Sequence, residues 1–83
     1  MRLDKYLKVS RLIKRRTVAQ EAASAERVSV NGKVVKPAYS VKVGDEITIR
    51  FGSSVLTVKV LSINEKARKE EATEMYEVVS ESE

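Results

Sequence analysis

Leu3, Tyr6 and Leu7, then Val9, Leu12 and Ile13, recur at roughly helical spacing with basic residues in the gaps. This predicts a short helix over residues 3–9, followed by a turn. Thr17 and Gln20 stand in the T-x-x-Q order of a capping box, which predicts a second helix over residues 18–25. Ala19, Ala22 and Ala23 give that helix a small-residue face that permits close approach of a neighbour. The period then changes from 3.6 to 2. Val28 and Val30 on one side and Val34 and Val35 on the other flank Asn31-Gly32, the pair a type I′ hairpin turn favours because both central residues need positive φ. Pro37 ends this hairpin or lies on an edge.

Gly44-Asp45 marks a further turn, and Ile47, Ile49 and Phe51 alternate with Thr48 and Arg50 as a half-buried strand. Gly52-Ser53-Ser54 turns the chain again before a longer strand over residues 55–63. Residues 66–73 are too polar to form core, whereas Met75, Tyr76, Val78 and Val79 supply a last short strand; residues 80–83 are expected to fray. The pattern is that of one α+β domain, two N-terminal helices packed on a small, mostly antiparallel sheet. Its body is assigned to residues 1–63, with a partly docked acidic C-terminal extension over residues 64–83.

Composition narrows the function. The chain has 83 residues, so it forms one small domain with a modest core. Its only aromatic residues are Tyr6, Tyr39, Phe51 and Tyr76, of which Tyr6 and Phe51 read as core. It contains no cysteine and no histidine, which removes disulfides, thiolate nucleophiles, the commonest general base and the commonest metal ligands. Neither a cofactor nor a metal is expected, and no residue stands out as catalytic; Asp4 reads as a first-turn helix acid or an ion-pair partner. No apolar run approaches the length of a membrane span, and the basic N-terminus lacks the apolar stretch of a signal peptide, so a cytoplasmic location is the expectation.

The charge is lopsided. Residues 1–16 carry seven basic side chains and only Asp4 as an acid, a local net +6 against +4 for the whole chain. Residues 65–83 carry seven acids and three bases. A charge run is often no more than a solvated face. Here the basic residues sit on an apolar, helix-forming frame, which predicts a shaped cationic surface and a polyanionic partner.

Arg2-Leu3-Asp4-Lys5-Tyr6-Leu7, Arg16-Thr17-x-Ala19, Val28-Ser29-Val30-Asn31-Gly32-Lys33, Pro37 and Val43-Gly44-Asp45-x-Ile47 follow one another in the order and spacing of the S4, or αL-motif, RNA-binding domain, which the chain resembles over about residues 1–51. The run from Arg2 to Thr17, together with Lys69-Glu70-Glu71-Ala72-x-x-Met75-Tyr76, is similar to the small stand-alone RqcP group of the heat-shock protein 15 family. That resemblance implies a non-enzymatic factor of ribosome-associated quality control. Its expected partners are rRNA of the obstructed large ribosomal subunit, peptidyl-tRNA and an RqcH-like factor that adds C-terminal alanine tails; off the ribosome it is expected to be a monomer. S4 domains are often appended to RNA-modifying enzymes and synthetases, but this chain has no room for such a domain. The alternative is a general structured-RNA or DNA-binding chaperone module.

The resemblance places Arg2 and Arg16 at the family's rRNA and tRNA contacts. Lys5, Lys8, Arg11, Lys14 and Arg15 extend the cationic surface, and Asn31 and Lys33 at the hairpin tip are further candidates. Arginine grips phosphate with a planar fork and lysine as a point charge. So few aromatics fit recognition of folded RNA by backbone and shape better than stacking on single strands. Neutralising about five phosphates gives a log–log salt slope of about −3.5 to −4.5. The chain departs from the family pattern at two points. Arg15-Arg16 stands where many members have Ser-Arg, and Glu26 stands where a glycine usually ends the second helix. A positive φ at Glu26 would cost about 1–2 kcal/mol.

Overall fold

The computed structural model describes residues 1–82. In chain order the elements are α1 (Leu3–Val9), α2 (Arg16–Ser24), β1 (Val28–Val30), β2 (Lys33–Val34), β3 (Glu46–Phe51), β4 (Ser54–Val60), α3 (Lys69–Ala72) and β5 (Tyr76–Ser82). The strands form one antiparallel sheet in the order β2-β1-β3-β4-β5. The architecture is α+β, as the hydrophobic pattern predicts.

The core is aliphatic. Leu3, Tyr6 and Leu7 of α1, Ile13 of the following loop, and Ala19 and Ala23 of α2 pack with Val28, Val30, Ile47, Ile49, Val58 and Val60 of the sheet. Burying a large apolar side chain contributes about 1.5–3 kcal/mol, so α1 is held chiefly by Leu3, Tyr6 and Leu7, all fully buried. The alanine face of α2 keeps that helix close to its neighbours. α1 is also tied through its backbone: Leu3 N–H donates to Tyr39 O (2.8 Å) and Asp4 N–H to Pro37 O (3.2 Å).

The β1–β2 hairpin turns on Asn31 (φ 52°) and Gly32 (φ 84°), with Val30 opposite Lys33. This is the two-residue, positive-φ loop expected of Asn-Gly.

Four local expectations are corrected. Thr17 does not cap α2, which begins two residues earlier than expected, at Arg16, with Arg15 at the N-cap and no side-chain cap hydrogen bond; Gln20 is drawn instead to a tertiary partner. Phe51 is not core: it lies opposite Ser54 at the tip of the β3–β4 hairpin and is 43% exposed. β4 ends at Val60, because the Leu61 and Ser62 N–H groups turn to Met75 O. Residues Ser80 to Ser82 do not fray but pair with Thr57, Leu56 and Val55; Glu83 lies outside the described residues.

The polar stretch before β5 is folded as well. α3 buries Ala72, Met75 enters the core, and the Tyr6 hydroxyl donates to Met75 O at 2.8 Å. Burial raises the Tyr6 phenol well above its ordinary pKa, and the neighbouring Tyr76 adds to the shift.

α1 and α2 each close on a left-handed residue that is not glycine. Glu26 (φ 62°) donates its N–H to Ala23 O while Arg27 N–H reaches Ala22 O, so the last carbonyls of α2 are satisfied. The positive φ therefore stands at Glu26 despite the missing glycine. Arg11 (φ 63°) plays the same part after α1, with its N–H on Lys8 O and that of Ile13 on Leu7 O. No sequence signal marks Arg11 for this conformation.

Candidate nucleic-acid interface

Asp4 organises the cationic surface. It sits in the first turn of α1, a favourable place for an acid, and is fully buried. A buried carboxylate needs partners, and Asp4 has four. Arg2 donates from Nε to Oδ1 and from a terminal nitrogen to Oδ2, both at 3.2 Å. Gln20 Nε2 donates to Oδ2 at 3.0 Å, Lys5 N–H to Oδ1 at 2.7 Å, and Arg16 reaches Oδ1 at 3.5 Å.

Burial works to raise the Asp4 carboxyl, but the hydrogen bonds from Gln20, Arg2 and Lys5 N–H and the charge of Arg16 outweigh it. The net pKa lies below the ordinary carboxylate value. Asp4 is therefore an anion at neutral pH, and it holds side by side the arginine at the N-cap of α1 and the arginine that opens α2. Their side chains remain 50% and 43% exposed, so each guanidinium keeps a face for a phosphate oxygen. The long reach of α2 toward α1 through Gln20 and Arg16 is what joins them.

The other predicted cations fall into separate groups. Lys5 is half-buried and pairs with Glu65 at 3.5 Å, so part of its charge is spent within the fold. Lys8 at the end of α1 and Arg11 and Lys14 in the following loop are exposed and line one cleft. Arg15 is exposed at the N-cap of α2, beside Arg16.

The hairpin tip is a different matter. Asn31 Nδ2 donates to Asp45 Oδ1 (3.1 Å) and its Oδ1 accepts from Glu46 N–H (3.0 Å). Asp45 also accepts from the Tyr39 hydroxyl and Lys42 N–H. Burial and the contact with Asp45 raise the Tyr39 phenol. The amide of Asn31 is thus committed to fixing the hairpin onto the loop before β3. Lys33 is exposed on β2.

Asp4, read from the sequence as a first-turn acid or an ion-pair partner, is both; Gln20, read as a capping residue, supports Asp4 instead; and Lys69, which lines the cleft with Lys8, is a cation outside the predicted contact set. Among the described residues, no group of three or more His, Cys, Asp or Glu side chains could hold a metal ion, and no helix is long and apolar enough to cross a membrane.

The family model of the S4 domain matches residues 1–47, which contain the Arg2–Asp4–Arg16 cluster and the Asn-Gly hairpin. The chain belongs to the S4 domain family. Within it, this S4 protein is similar to the RQC P-site tRNA stabilizing factor of Listeria monocytogenes serovar 1/2a, at 59% identity over 98% of this chain and 88% of that one. The factor of the same name from Bacillus subtilis is 53% identical over 98% of this chain and 94% of its own. Heat shock protein 15 of Escherichia coli K12 is 37% identical over 99% of this chain and 62% of its own. The trimeric structure of Vibrio cholerae heat shock protein 15 superposes with a TM-score of 0.89 at 33% identity, covering 96% of this chain and 82% of that one. The S4 protein therefore shares its fold with heat shock protein 15 well past the matched domain, into β4 and β5.

Proposed function

We propose that this protein is a non-enzymatic RNA-binding factor of ribosome-associated quality control. It binds rRNA of the obstructed large ribosomal subunit and peptidyl-tRNA, and supports the addition of C-terminal alanine tails by an RqcH-like factor. The observation that carries this reading is the pair Arg2 and Arg16, fixed by a buried carboxylate yet open to solvent. Relatives over nearly the whole chain carry the name RQC P-site tRNA stabilizing factor, which supports tRNA as the polyanion.

A fixed pair of guanidinium forks recognises the spacing of phosphates on folded RNA and pays little ordering entropy on binding. Lys8, Arg11, Lys14 and Arg15 extend the contact, and Lys33 adds to it from the hairpin. Off the ribosome the protein is taken to be a monomer in the cytoplasm.

Co-sedimentation with purified large subunits, with and without peptidyl-tRNA, tests the proposal. Enrichment on large over small subunits at moderate salt, strengthened by peptidyl-tRNA, is the expected result. Equal affinity for duplex DNA, structured RNA and both subunits at matched salt would favour a general nucleic-acid chaperone instead.

A further inference from the structure

At the far end of α1 from Arg2, a cleft of about 620 Å³ lies between the helix end with its following loop and the segment leading into α3. Lys8, Arg11 and Lys14 line it from the first side, and Glu65 and Lys69 from the second. The one acid is directed to Lys5 at 3.5 Å, so four cations are left to face the cleft.

The second side is held in place. The Lys5–Glu65 ion pair ties its beginning to α1, Ala72 is buried just beyond Lys69, and the Tyr6 hydroxyl bonds Met75 O. Lys69 is therefore presented by a folded segment, not by a tail. It also lies outside residues 1–47, the part matched by the S4 family model.

We infer that this cleft is a second phosphate-binding site, in which Lys69 of the C-terminal segment faces Lys8, Arg11 and Lys14 across the RNA backbone. The volume is in the range of sites that hold a nucleotide. Four cations with no aromatic lining select for the sugar–phosphate backbone over the bases. The cleft adjoins the first site along the chain, since Lys14 of its lining is followed directly by Arg15 and Arg16. The length of α1 separates the two sites by about 9 Å at the usual rise per residue. One stretch of RNA backbone a few nucleotides long can engage both. An acidic protein segment would meet the same charges, but it would not explain the adjacency to the arginine pair. The C-terminal segment thus completes the RNA grip that the S4 domain begins.

The inference rests on the RNA-binding reading above, and the test separates the two. Affinity for the large subunit is measured against salt concentration for the full chain and for Lys69→Ala, Lys14→Ala and Lys66→Ala. Lys66→Ala removes the same charge from the same segment but does not line the cleft. Lys69→Ala and Lys14→Ala should each lower the magnitude of the log–log slope by about 0.7–0.9 and weaken binding several-fold, while Lys66→Ala stays near the parent. Lys69→Ala binding with the parent slope, or no more weakly than Lys66→Ala, would overturn the cleft. So would an equal loss of affinity for polyglutamate and for RNA in Lys69→Ala. Absence of binding by the parent protein would instead remove the functional reading itself.

Discussion

Gln20 Nε2 donates to Asp4 Oδ2 at 3.0 Å, joining residues 16 apart in sequence. This bond fastens α2 to the carboxylate that also gathers Arg2 and Arg16. The cationic surface is therefore built inward-out: a buried acid sets where two exposed bases stand.

Replacing the acid tests that arrangement through pH. The Asp4 carboxyl lies below its ordinary value in the fold, so its contribution is fully present above the unfolded carboxylate pKa of about 4. It is lost as pH falls through the lower folded value. Urea unfolding between neutral pH and pH 2 should show falling stability over that acid range. Asp4→Asn should cost about 1–3 kcal/mol at neutral pH and flatten part of the acid slope. An unchanged slope would place the acid sensitivity in other carboxylates.

Arg2→Ala and Arg16→Ala should each weaken binding to the large subunit by about 1–3 kcal/mol. Because both arginines share Asp4, the double variant should not show the sum of the two losses. Strict additivity, by filter binding or co-sedimentation at one salt concentration, would mean that the shared carboxylate does not couple them.

The two residues at the hairpin tip should separate by assay. Asn31→Ala strands the Asp45 and Glu46 groups it now satisfies and puts a Cβ-bearing residue without those bonds at φ 52°. It should lower stability by about 1–3 kcal/mol in thermal or urea unfolding, with the salt slope of RNA binding unchanged. Lys33→Ala should do the reverse, leaving the melt in place and reducing the slope by less than one unit.

Glu26→Gly is expected to stabilise the protein by about 1 kcal/mol, because glycine occupies φ 62° without steric penalty. Glu26 is exposed, so little packing is lost. A lower unfolding midpoint in urea would mean that the side chain makes up for the strain.

Tyr6→Phe removes the hydroxyl bond to Met75 O, but that carbonyl still accepts from Leu61 and Ser62 N–H. The loss at neutral pH should therefore stay near 0.5–1.5 kcal/mol. The folded phenol titrates above its unfolded value of about 10, so its contribution is full below that pH and disappears as pH rises beyond it. The variant should be less sensitive than the parent to unfolding above pH 10.

Much of this molecule is legible along the chain. The spacing of Leu3, Tyr6 and Leu7 marks α1, Asn31-Gly32 marks the hairpin, and the Ile47–Ile49 alternation marks β3, because each signal is local and each element buries one face. Thr17 and Gln20 misled because a capping pattern competes with any tertiary partner of the same side chain, and Asp4 is the stronger acceptor. Phe51 misled because alternation reports which face a residue takes, not how far the core extends beneath it.

The apolar spacing along the chain was enough, by itself, to determine that this protein folds as a small α+β domain, and the charge count placed a cationic surface at its N-terminal helices. Only the tertiary structure decided which cations act together. Asp4 pairs Arg2 with Arg16, Asn31 is turned to structural work, and the C-terminal segment brings Lys69 to the cleft lined by Lys8, Arg11 and Lys14. Charge and periodicity are properties of neighbours in sequence, whereas a binding geometry is set by contacts between residues far apart in the chain, and those exist only once the core has closed.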